Sequence, residues 1–254
     1  MKITSPTVNA PCWVELGTSD PEAARTLYRE LFGWRAESDP REEVGGYTRF
    51  FVGDAPVAAI SPISSPKQRT AWLVCFASAD ADATAAAVAT AGGKVLKEPT
   101  DLRDEGRFAV LADPSEAVFT IWQANAFKGA GLLNEPVSLG WVELATRDTA
   151  GAKEFYSRVF GWSVTVSEMY TQWGLAGDDF GGMLDMAEQF PPDVPPYWMP
   201  YFAVADVDLT AERAAGLGAT VMLPPTDVPG GPRLAVFQDA QGARFGIHTA
   251  GAEG

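Results

Sequence analysis

Residues 13–34 read WVELGTSDPEAARTLYRELFGW, and residues 141–162 read WVELATRDTAGAKEFYSRVFGW. At an offset of 128, Trp13, Val14, Glu15, Leu16, Thr18, Asp20, Tyr28, Phe32, Gly33 and Trp34 fall on Trp141, Val142, Glu143, Leu144, Thr146, Asp148, Tyr156, Phe160, Gly161 and Trp162 without a gap. A repeat of this period means two tandem domains and is too long for a solenoid. Within the stretch, Trp13 to Thr18 alternates as a strand, with Trp13 and Glu15 on one face and Val14 and Leu16 on the other. Asp20 then caps a helix that begins on Pro21, whose missing N–H would be unpaired there anyway. Gly33 supplies the left-handed stop.

Further along, strand patterns at 47–53 and 56–61 meet at a Gly53-Asp54 turn, and the same order of elements then starts again. Strand 71–78 leads into an alanine-rich helix capped by Asp80, and three strands follow. Each half is therefore two strand-helix-strand-strand-strand units, which predicts an α+β chain of four βαβββ modules. The second halves of the repeat align at an offset of 126, where Trp72, Asp80, Asp82, Arg107 and Asp113 match Trp198, Asp206, Asp208, Arg233 and Asp239. Trp122 falls on His248, the one histidine of the chain. The Gly/Ala/Asn-rich stretch 124–137 is the connection, with domains drawn at 1–127 and 138–254 around a linker of 128–137.

A chain of 254 residues suits two domains that each bury a core, and 46% hydrophobic with 20% charged residues is a globular composition. The net charge of −14, with no basic run to offset it, argues against nucleic acid and anionic membranes as partners. The opening MKITSPTVNAP lacks an apolar signal segment, and no stretch approaches 18 apolar residues, so a cytoplasmic monomer or homodimer is expected. Cys12 and Cys75 sit in strand patterns without C-x-x-C spacing and read as buried free thiols.

The run W-x-E-L-x-T-x-D with its F-G-W ending resembles the opening of vicinal oxygen chelate domains, the superfamily of glyoxalase I, bleomycin-resistance proteins and extradiol dioxygenases. VADVDLTAERAAGLGATV and DPSEAVFTIW resemble its second module and closing strand, and the chain is similar to tandem glyoxalase-like proteins of actinobacteria. The resemblance implies cupped mixed sheets that hold a ligand, with metal ligands on the first and last strands of each module. Those places hold Trp13, Ala59, Leu73 and Thr120 in the first domain, and Trp141, Gly182, Met199 and Gly246 in the second. None is a His or a carboxylate, so no metal and no other cofactor is expected at the ordinary site.

Two positions on, the same strands carry Glu15, Ser61, Cys75 and Trp122, and Glu143, Leu184, Tyr201 and His248. Glu143, Tyr201 and His248 form a candidate acid–base set. Trp13, Glu15, Trp122, Trp141, Tyr47, Tyr170 and Met199 are candidate walls for a planar ligand. Plainer readings stand beside these: Glu15 in an ion pair with Arg49 or Arg107, His248 as a strand-end residue, and several aromatics as core. Beside a purely structural or secreted interaction protein, for which no feature beyond the fold speaks, three functions compete. They are metal-independent binding of a planar or hydrophobic metabolite, a cofactorless lyase, isomerase or cyclase, and a metal-dependent glyoxalase or dioxygenase.

Overall fold

The structure, a computed structural model, describes residues 3–39, 46–65, 68–167, 170–186 and 190–250. The first half runs β1 (Pro11–Thr18), α1 (Pro21–Phe32), β2 (Arg35–Ser38), β3 (Thr48–Val52), β4 (Ala55–Pro62), β5 (Ala71–Ala77), α2 (Ala81–Thr90), β6 (Lys94–Leu102), β7 (Gly106–Ala112) and β8 (Val118–Ala124). The second repeats it as β9 (Leu139–Thr146), α3 (Thr149–Phe160), β10 (Ser163–Val166), β11 (Thr171–Leu175), β12 (Asp178–Asp185), β13 (Tyr197–Val204), α4 (Val207–Gly216), β14 (Thr220–Asp227), β15 (Arg233–Gln238) and β16 (Arg244–Thr249).

Local chemistry explains the repeat. Asp20 accepts the Ala23 N–H at 3.0 Å and Asp148 accepts that of Gly151 at 2.8 Å, so α1 and α3 start alike. Gly33 and Gly161 end both helices at φ 71°, in the left-handed region. Arg107 forks onto Asp82 and Asp101, and Arg233 onto Asp208 and Asp227, tying the second helix of each half, α2 and α4, to its strands in the same way.

Each half forms one eight-stranded mixed sheet, ordered β2-β3-β4-β1-β5-β8-β7-β6 and β10-β11-β12-β9-β13-β16-β15-β14. The central neighbours β1 and β5, like β9 and β13, pair antiparallel, so two modules of the same half complete each sheet. The repeat by itself does not decide whether modules pair within or between halves; here they pair within.

One face of each strand set is buried beneath the helices. Val14, Leu16, Tyr28 and Phe32 of the first half share a single core with Leu144, Tyr156, Phe160 and Phe202 of the second. Trp173 and Trp198, two of the strand aromatics, belong to that core as well. Polar bonds cross it: Tyr28 donates to Asp239 Oδ2 and Tyr156 to Asp113 Oδ2, both at 3.1 Å, while Trp72 and Trp198 donate to the two phenol oxygens at 3.0 and 2.8 Å. The helix-bearing faces thus meet each other, and the opposite faces, the two cups, point away from the shared core.

Candidate functional site

The register of the second sheet assembles its cup. Glu143 lies opposite Gly182 and Met199, Trp141 opposite Tyr201, and Tyr201 opposite Gly246. Side chains at paired positions share a face, so these six residues point into one concavity. The glycines are occupied from above: a Cβ on Gly182 would lie 2.1 Å from the Tyr170 hydroxyl, and one on Gly246 would lie 2.1 Å from Tyr201 Cδ1.

Both phenols converge on one carboxyl. Tyr170 donates to Glu143 Oε2 at 2.9 Å and Tyr201 to Oε1 at 3.1 Å, while Trp141 Nε1 donates to the Tyr170 oxygen at 3.1 Å. Burial pushes the Glu143 carboxyl above the ordinary carboxylate range, and the two phenol bonds oppose that rise only in part. Tyr170 and Tyr201 are pushed well up, first by burial and then by the Glu143 charge, so both remain donors. The result is a protected proton acceptor flanked by two O–H groups, capable of taking a proton or of orienting a ligand hydroxyl or carbonyl.

His248 stands apart from this group. Its Nδ1 lies 2.8 Å from the Thr249 carbonyl, which can only accept, so Nδ1 carries the hydrogen and Nε2 is a bare acceptor. Nε2 is buried without a partner against Gly140, whose Cβ would come within 2.1 Å of it. Burial lowers its basicity, and the Thr249 bond only partly restores it. Of the three acid–base candidates the structure therefore joins Glu143 and Tyr201, adds Tyr170, and leaves His248 outside the hydrogen-bonded set. Met199 is 4% exposed opposite Glu143, and Tyr197, which sequence reasoning missed, lies on the same face two residues before it. Its strand parity with Met199 and Tyr201 was the available signal.

The first cup has the same frame and a different filling. Glu15 accepts Ser61 Oγ at 2.6 Å, and burial raises its pKa against that bond and the charges of Arg49 and Lys97. Neither arginine pairs with it: Arg49 pairs with Glu105, and Arg107 with Asp82 and Asp101. Trp13 and Trp122 are on the cup face with Ala59 and Cys75, in a cluster against which Tyr47 and Phe127 pack. Cys75 Sγ is 4.0 Å from Cys12 Sγ, and both are buried free thiols. Phe127 was missed because a single aromatic in a Gly/Ala-rich connection carries no periodic signal.

A family model of the Glyoxalase/Bleomycin resistance protein/Dioxygenase superfamily matches residues 12–121 and again 138–247. The chain belongs to this superfamily. Its relatives include "Putative glyoxylase CFP32" of Mycobacterium tuberculosis, 38% identical over 248 residues, or 93% of both chains. The anthracycline biosynthesis protein DnrV of Streptomyces peucetius is 36% identical over 258 residues, covering 94% of this chain and 92% of that one. Among solved structures, the Mn(II)-bound glyoxalase from Novosphingobium aromaticivorans superposes with a TM-score of 0.69 at 18% identity, over 96% of this chain and 82% of that one. At that identity the likeness speaks for the fold alone.

Superfamily members with a metal raise the question whether these cups suit one. In the second cup, the places expected to supply ligands are an indole, a thioether and two glycines covered by tyrosine rings. In the first, the set is an indole, a methyl group, an isobutyl group and a hydroxyl. Among the described residues no group of three or more His, Cys, Asp or Glu is placed to hold a metal ion. A divalent cation prefers several imidazole or carboxylate donors, and the residues present do not fit one.

Proposed function

We propose that this superfamily member binds a small, planar, largely apolar organic molecule without a divalent metal, with the second cup as a principal site. The observation that carries this reading is the replacement of ligand positions by Gly182 and Gly246, each overlain by a tyrosine whose hydroxyl is held by Glu143. Rings of that kind offer broad apolar area with one polar edge, as recognition of a hydroxylated or keto-bearing flat molecule requires. Relatives named for anthracycline biosynthesis support a ligand of fused planar rings. Action in the cytoplasm as a monomer or homodimer belongs to the same reading, as does the absence of nucleic acid and membrane partners, which the charge of −14 favours.

A second reading is favoured by the burial of Glu143 between two phenols. Here Glu143 takes a proton from a carbon beside a carbonyl, Tyr170 or Tyr201 turns the O–H that the newly protonated carboxyl releases toward the enolate oxygen, and Glu143 returns the proton to the product. Such a cofactorless isomerase, lyase or cyclase needs no group beyond these side chains.

Titration of intrinsic tryptophan fluorescence with planar hydroxyquinones tests both. Binding without product supports the first. Affinity that survives Glu143→Gln while conversion disappears supports the second. No quenching by any planar ligand contradicts both.

A further inference from the structure

Although the two cups descend from one sequence, their equivalent residues differ in exposure, and in both directions: Glu15, Leu73 and Thr120 are half-buried where Glu143, Met199 and Gly246 are buried, but the indoles run the other way. Trp13 and Trp122 are 5% and 7% exposed, while their counterparts Trp141 and His248 are half-buried. The burial of the two first-cup indoles traces to the connecting segment. Its Phe127 ring stands edge-on to Trp13 at 5.0 Å and to Trp122 at 5.9 Å, and the Arg49 guanidinium lies 4.4 Å from the ring centre. Two indoles and a cation around one flat ring are the contacts an aromatic ligand would receive.

The backbone holds that ring in place. Phe127 accepts the Trp122 indole N–H at 2.9 Å through its carbonyl, and its own N–H reaches Glu105 O at 3.1 Å. Asn125 and Ala126 add bonds to Glu105 O and Asp104 O at 3.0 and 3.1 Å. The far walls differ in a matching way. Leu223 pairs with Val236, and Val236 with Gly246, which places Leu223 on the second cup's face, where it is 39% exposed. The equivalent residue of the first cup is Lys97, opposite Val110, and its ammonium rests 4.4 Å from the Phe108 ring centre.

We propose that Phe127 is a resident intramolecular occupant of the first cup, so that the protein takes one planar apolar molecule per chain, in the second cup. This rests on the reading that the cups bind organic molecules, and it adds stoichiometry and location. In the first cup a free ring reaches Trp13 and Trp122 only by displacing one already held by the backbone, whereas the half-buried Trp141 and the exposed Leu223 of the second cup are reached directly; Leu234 and Val236 match Phe108 and Val110 in exposure and do not distinguish the cups.

Calorimetric titration of the full chain with 1,8-dihydroxyanthraquinone tests it. The expected result is one equivalent for the wild type, two for Phe127→Ala, and at least a tenfold loss of affinity for Leu223→Lys. Two equivalents in the wild type, one in a folded Phe127→Ala variant, or an unchanged affinity in Leu223→Lys would each overturn it. If the wild type takes none and Phe127→Ala takes one, self-occupancy holds and the reading of the second cup fails; no binding by either overturns both. Hydrogen exchange on the wild type with the same probe needs no variant. Protection gained in β9, β13 and β16 with none lost at 125–133 is expected, and loss at 125–133 on binding contradicts a resident Phe127.

Discussion

Tyr201 and Glu143 meet at 3.1 Å across the second cup, and the tyrosine ring covers Gly246, where a neighbouring Cβ has no room. In the first cup the place of Tyr201 is taken by Cys75, and the carboxyl finds a serine hydroxyl instead. One scaffold thus presents two differently dressed carboxyls.

The buried Glu143 carboxyl makes stability depend on pH. Burial raises its folded-state pKa above the ordinary 4.5, so the folded protein holds this proton more tightly than the unfolded chain. The resulting stabilisation is fully present below pH 4.5 and is lost as pH rises through the raised value. Glutamine cannot ionise and keeps the shape of the site. The melting temperature of Glu143→Gln minus that of the wild type should therefore rise as pH is taken upward from about 4 to about 7. Glu15, Asp113 and Asp239 titrate in both proteins, so the difference isolates Glu143. A constant difference over that range contradicts the assignment.

The cross-half bonds should register in denaturant unfolding. Tyr28→Phe and Tyr156→Phe each remove a donor from a buried aspartate, Asp239 or Asp113, at a cost of about 1–3 kcal/mol. Because one core spans both halves, the loss should appear in a single cooperative transition. Two separate transitions, only one of them shifted by Tyr28→Phe, would show that the halves do not fold as a unit.

Gly246→Ala places a methyl group against the Tyr201 ring and must push it from Glu143. Overpacking of this kind costs about 1–3 kcal/mol. Planar-ligand affinity should fall together with stability. In contrast, Gly216→Ala, where an added Cβ meets nothing within 4 Å, should leave affinity unchanged. Equal behaviour of the two variants in a binding titration contradicts the role given to the Tyr201 ring.

His248 lacks a bond to Glu143, and its bare Nε2 is packed against Gly140. His248→Ala should thus disturb ligand binding or conversion far less than Tyr201→Phe or Glu143→Gln. A larger effect from His248 in the same assay would restore it to the acid–base set.

Much of this architecture was legible in residues 13–34 and their copy. Capping aspartates, the left-handed glycines and period-2 alternation are local signals, and each found its expected place. Strand parity likewise put Trp13, Glu15, Trp141 and Glu143 on the cup faces. What sequence could not show is non-local. The Tyr28–Asp239 bond joins residues 211 positions apart. The separation of His248 from Glu143 depends on how β9, bulged opposite Tyr201 and Phe202, sets Gly140 against the imidazole. The covering of Gly182 by Tyr170 requires the residue just before β11 to reach across β12, which no spacing rule foretells. Phe127 lies in a segment of loop composition whose course over the first cup follows from pairing with the β6–β7 turn.

The central claim is recognition of an organic molecule by tyrosines and a carboxyl that stand where a cation would otherwise be held. Its most direct test is the dissociation constant of 1,8-dihydroxyanthraquinone measured on protein stripped with a chelator, then after adding Mn(II), Zn(II) or Fe(II). The account predicts the same constant in every case, weakened by Tyr201→Phe. Binding that disappears on stripping and returns with one equivalent of metal would contradict it.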